Sequence, residues 1–142
     1  MKYIDETDLE SVIQERFLDD STANIAGTDA ILVDLEQKAI DYVVSYITGR
    51  YNTDLIFTTV EPMRNGVLRQ IIAQIVVYRA VRRNAARKVP EDYVTLMSDS
   101  TKQLERIQSG AMSLPSLPLI TASDGTTSSL MTGNSTNTDF FI

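Results

Sequence analysis

The stretch from Pro62 to about Asn84 constrains this chain more than any other. Val67, Leu68, Ile71, Ile72, Ile75, Val76 and Tyr78 recur at spacings of three and four, with Val81 beyond them. At about 3.6 residues per turn, that spacing puts them on one broad helical face. Pro62 suits a first helical turn, where no intrahelical N–H is required. The other face carries Arg64, Arg69, Arg79, Arg82 and Arg83, and no Asp or Glu occurs between Pro62 and Pro90. The pattern predicts the central helix of a small bundle, with a basic outer face.

Three further helical stripes flank it. Thr7-Asp8-Leu9-Glu10 has the form of a capping box; a short helix to about Leu18 would follow, with Leu9, Val12, Ile13 and Phe17 on one face. Residues 19–28 are polar, contain Gly27 and read as a loop. Thr28 or Asp29 can cap a second helix, with Asp34 and Glu36 early in it. Its stripe is Ile31, Leu32, Leu35, Ala39, Ile40, Val43, Val44 and Ile47. Tyr42 and Tyr46 lie one turn apart at the edge of that stripe, and Gly49 is expected to end the helix in a left-handed conformation. Pro90 restarts the helical pattern, and Glu91 and Asp92 suit the positive end of a helix dipole. Tyr93, Val94, Met97, Thr101, Leu104 and Ile107 then form a fourth stripe, closed by Gly110. The expectation is an all-α chain: a four-helix bundle over residues 1–112, an extended loop at 50–61 and a long extended arm at 113–142. Seven or eight large side chains buried per long helix give roughly 10–20 kcal/mol of gross hydrophobic gain. Ordering the chain offsets most of it, so no helix should stand alone.

The loop and the arm are the segments least explained by a bundle. Leu55, Ile56, Phe57 and Val60 make the loop too apolar to face water; it either tucks under the bundle or pairs with another chain. Pro115 and Pro118 keep Leu114 to Ile120 extended. Residues 121–138 are rich in Ser, Thr, Gly and Asn, with Asp124 as the single charge. Such a composition cannot order itself. Leu117, Leu119 and Ile120 before it, and Phe140, Phe141 and Ile142 after it, offer apolar anchors. They predict an arm laid along another chain as an added strand, with fold-back onto its own bundle as the alternative.

Charge is divided along the chain. Residues 1–61 hold 4 basic and 13 acidic side chains, residues 62–90 hold 7 basic and none acidic, and residues 91–142 hold 2 basic and 6 acidic. Either the acidic and basic helices face one another within the fold, or they match between subunits. Arg79, Arg82, Arg83, Arg87 and Lys88 form the one cluster suited to phosphate. No helix-turn-helix, zinc-finger or RNA-motif signature accompanies it, and the net charge of −6 favours protein salt bridges.

Little else suggests chemistry. The chain has no His and no Cys, so the commonest general base, metal ligand and thiolate nucleophile are missing. No glycine-rich phosphate loop occurs. The expectation is a non-enzyme with no catalytic, cofactor or metal residues. No apolar run approaches the roughly 20 residues of a membrane span, and no secretory signal is evident.

The residues resemble a known family. Tyr46-Ile47-Thr48-Gly49-Arg50-Tyr51, a loop, Pro62, a long apolar helix and Leu104-Glu105-Arg106-Ile107-Gln108-Ser109-Gly110 with Leu114 are similar to the Mu-like head-completion proteins of tailed phages. The likeness runs from about residue 3 to 114; Val44 stands where the family tends to be acidic, and Ser100 where it tends to have Ala. The resemblance implies a head–tail adaptor subunit in a ring of about twelve copies. Such a ring would join the portal protein to a tail or stopper protein. DNA would pass through its channel without sequence-specific binding, in a virion assembled in the host cytoplasm. Gly49, Arg50 and Tyr51 would then organise the bundle end, Arg50 pairing with nearby carboxylates and Tyr51 packing on it. Leu55, Ile56, Phe57, the arginine cluster and the arm would form the contacts with neighbours. The alternative reading is a small nucleic-acid-binding or regulatory module using Arg79 to Lys88.

Overall fold

In the computed structural model, residues 1–13, 28–84 and 88–121 are described. Among them four α-helices follow in order: α1 (Glu6–Glu10), α2 (Thr28–Ile47), α3 (Gly66–Asn84) and α4 (Glu91–Ser109). A π-helical turn, Asp54–Thr58, sits between α2 and α3. Among the described residues there is no β-strand; an antiparallel bridge joins Tyr51 and Leu119. The all-α expectation holds.

The central role of α3 follows from its sequence. Ile71, Ile72, Ala73, Ile75, Val76 and Val77 are all fully buried. Apart from the half-buried Gln74, that run is apolar on every side, as in a helix enclosed by its neighbours. It packs against α1, α2 and α4. The helix starts at Gly66, not at Pro62. Asn65 Oδ1 accepts from the N–H groups of Val67 (3.0 Å) and Leu68 (3.3 Å), so Asn65 is the N-cap.

The N-terminal cap is likewise displaced. Asp5, not Thr7, caps α1, with Asp8 answering from the third position. The helix ends at Glu10, well short of Leu18; residues 14–27, including the expected loop and Phe17, lie outside the described residues. Leu9 and Ile13 are buried as expected.

In α2 the stripe Leu32, Leu35, Ala39, Ile40, Val43 and Ile47 is buried. Gly49 does not take the left-handed conformation; among the described residues only Gly110 has positive φ, at 86°. The chain instead overruns Gly49 in right-handed turns, Tyr51 N–H still bonding to Ile47 O at 3.0 Å. Gly110 closes α4 as expected, its N–H turned back to Ile107 O. In α4, Leu104 and Ile107 are buried but Val94 is 46% exposed. Ser100 is fully buried and donates to Gln74 Oε1 at 2.6 Å, tying α4 to α3.

The body does not stop at residue 112. Leu114 and Leu117 are buried in the same core, and a turn at Pro115-Ser116 brings the chain back over residues 50–52. Asn52 donates to Pro118 O (2.9 Å) and Ile120 to Arg50 O (3.0 Å). The root of the arm therefore folds onto its own bundle as far as the described residues reach.

Candidate functional site

Two ends of the α3–α4 hairpin carry the residues singled out from sequence. Helix α4 has 19 residues, so its ends lie roughly 28 Å apart at 1.5 Å per residue.

At the C-terminal end of α4, Arg50 reaches across from the end of α2. Its Nη1 donates to Ile107 O at 2.7 Å and to Met112 O at 3.4 Å. Ile107 O lies in the last turn of α4 and also accepts from Gly110 N–H, while Met112 O belongs to the chain just beyond it; a cation there also meets the negative end of the helix dipole. Arg50 thus pairs with backbone, not with the carboxylates expected of it. Its guanidinium also lies 5.7 Å from the centre of the Tyr51 ring, and Tyr51 does pack against it. A Cβ built on Gly110 would come within 3.5 Å of the Arg50 guanidinium. That is ordinary contact, so it is the φ of 86° that would strain a side chain there. Tyr51 is 1% exposed, and its hydroxyl accepts from Leu114 N–H at 2.7 Å. The Gly49-Arg50-Tyr51 and Leu104-to-Gly110 segments are two halves of one clamp, which fixes where the arm begins.

The loop is divided. Ile56 and Phe57 are buried under the bundle, whereas Leu55 is 47% and Val60 95% exposed. Of the proposed neighbour-contact residues, Ile56, Phe57 and Leu117 are therefore spent on the chain's own core. Leu119 and Ile120 are half-buried at the Tyr51 bridge. Phe140, Phe141, Ile142 and Arg87 lie outside the described residues.

At the other end, the arginines of α3 meet different fates. Arg79 lies 5.8 Å from the centre of the Tyr42 ring. Tyr42 stacks edge-on with Tyr46 and shares hydroxyl hydrogen bonds with Tyr46 (3.2 Å) and Thr101 (3.3 Å). That hydrogen bond, together with partial burial, pushes the Tyr46 phenol up to about 12. Lys88 approaches Glu91 at 3.4 Å in an exposed pair. Arg82 and Arg83 are exposed, and neither pairs with a carboxylate among the described residues.

Sequence reasoning missed the two charge sites that hold the N-terminal segment. Glu36 is 3% exposed, and its carboxylate accepts from Lys2 N–H (2.7 Å), Tyr3 N–H (2.8 Å) and Ile4 N–H (2.8 Å). Three successive amides form a nest for an anion. A local signal existed: position 36 falls inside the apolar stripe of α2. Arg69 bonds to Asp8 (2.8 and 3.0 Å) and Asp5 (2.8 Å). The hydrogen bond from Thr7 is the main cause holding the Asp5 carboxyl below its usual range. The hydrogen bond to Asp8 raises the Arg69 guanidinium. Acidic and basic segments thus do face one another inside the fold here. Tyr3 completes the dock: its hydroxyl donates to Met63 O and accepts from Asn65 N–H, and burial pushes it up.

Among the described residues, no group of three or more Asp or Glu side chains could hold a metal ion, and no helix is long and apolar enough to cross a membrane. No curated protein matches the chain. The family model for bacteriophage Mu Gp36 matches residues 3–129, nearly the whole chain, and on that match the protein belongs to the bacteriophage Mu Gp36 family.

Proposed function

We propose that this phage protein is a structural, non-enzymatic head–tail adaptor: one subunit of a ring around the DNA channel, joining the portal protein to a tail or stopper protein. The observation that supports it best is the clamp. Arg50 and Tyr51 pin residues 112–120 to the bundle end, so the chain beyond Thr121 starts from a fixed point. A body that fixes the root of an arm is suited to presenting that arm to a neighbour. The family match to residues 3–129 places the same body in a phage.

The test is assembly. The full chain should be found at the head–tail junction of virions by cryo-electron microscopy and should co-purify with the portal protein. A chain truncated after Thr121 keeps every clamp contact and should stay folded but lose that docking. A full chain absent from the junction would refute the adaptor role; a truncated chain that still docks would refute the part given to the arm. The nucleic-acid alternative is the weaker reading, because Arg79 is engaged with Tyr42 and Lys88 with Glu91.

A further inference from the structure

A cleft of about 420 Å³ opens between α2 and the π-helical turn. Its floor includes Ile40, Val44 and Phe57. Asp41 contributes from α2 and Asp54 from the turn, one carboxylate from each wall, and both residues are exposed. Lys2 and Glu36 also line it, but the Glu36 carboxylate is already occupied by the N–H groups of residues 2–4. An apolar floor between two carboxylates suits a side chain with an aliphatic stem and a cationic head. Arginine fits best, since its planar fork can meet a carboxylate through two hydrogen bonds.

The same chain carries such groups elsewhere. Arg82 and Arg83 end α3 in solvent, with no carboxylate partner among the described residues. Every other arginine whose side chain is described on α3 has a partner: Arg69 has Asp5 and Asp8, and Arg79 has Tyr42. We infer that Arg82 and Arg83 of one copy seat in the cleft between α2 and the π-helical turn of a second copy, between Asp41 and Asp54. The inference rests on the ring reading and names its contact. The two surfaces are different patches, so the contact is head-to-tail; it repeats from copy to copy until a ring closes.

Sedimentation velocity of the full chain at low salt tests it. The wild type should self-associate, and raising the salt should weaken the association, because exposed charge pairs are screened. Arg82→Glu with Arg83→Glu, or Asp41→Lys with Asp54→Lys, should each weaken association by about a hundredfold, because like charges then face one another. An equal mixture of the two variants should regain association, and so should a chain carrying all four changes. A wild type that stays monomeric overturns the inference, as do charge-reversed variants that associate normally or a mixture that fails to recover. Loss of duplex DNA binding by the arginine variant, with self-association unchanged, would assign those arginines to nucleic acid and overturn it too. None of these outcomes moves the protein from the head–tail junction in virions, so the ring reading stands or falls separately.

Discussion

Arg50 and Arg82 are the same residue type at opposite ends of one helical hairpin, and the fold treats them differently. Arg50 is drawn inward: carbonyls of Ile107 and Met112, the Tyr51 ring and the Gly110 backbone surround its guanidinium. Arg82 and its neighbour Arg83 are left in water. Glu36 and Arg69 belong with Arg50, because each is held by polar groups far away in sequence. The contrast separates charges that build the fold from charges left exposed to solvent. Composition alone cannot make that division.

Substitutions should break or sharpen it in a graded order. Glu36→Ala should cost the most, about 3–4 kcal/mol in urea unfolding, because the buried N–H groups of Tyr3 and Ile4 lose their acceptor. Glu36→Gln should cost less, since one carbonyl oxygen can still accept from both. Arg50→Ala should cost about 2 kcal/mol by the same measurement, through lost charge-assisted bonds to the end of α4. It should also speed proteolysis within residues 111–121, which it tethers. Tyr51→Phe should cost about 1–2 kcal/mol, since the buried Leu114 N–H is left without a partner. Arg82→Ala and Arg83→Ala should leave stability within about 0.5 kcal/mol of wild type. A loss comparable to that of Arg50→Ala would erase the distinction.

The pH response offers a finer check. Tyr46 holds its proton up to about 12 in the folded chain against 10.0 for the free phenol. The folded state therefore binds the proton more tightly, and the stabilisation is complete below 10. It should fall away as pH rises from there through about 12. Tyr46→Phe should flatten that alkaline limb in a pH series of thermal melts. Asp5 has the opposite sign: its carboxyl is lowered, so its contribution is present above the usual carboxylate range and is lost as pH falls through the folded value.

Much of the body was legible because local pattern and tertiary demand agree. The enclosed stretch Ile71–Val77, the stripe from Leu32 to Ile47 and the Gly110 stop are all set by spacing and backbone sterics. The readings failed where a remote partner decided. Thr7/Glu10 and Asp5/Asp8 offer the same capping spacing, and Asp5/Asp8 has the added tie to Arg69, more than sixty residues away. Pro62 looked like a helix start, but Asn65 supplies the capping oxygen and Met63 N–H is held by Ile56 O. Gly49 looked like a stop, yet the chain must continue in right-handed turns to deliver Arg50 and Tyr51 to α4. The clamp itself is half legible: both of its segments stand out in the sequence, but spacing does not reveal that one grips the other.

The docking of residues 2–8 has a consequence for how the chain is made. Their partners are Glu36, Met63, Asn65 and Arg69. Synthesis proceeds at roughly 5–20 residues per second, so this segment leaves the ribosome seconds before anything exists to receive it. What is translated early must wait, and its arrival is a late signal that the central helix is already in place.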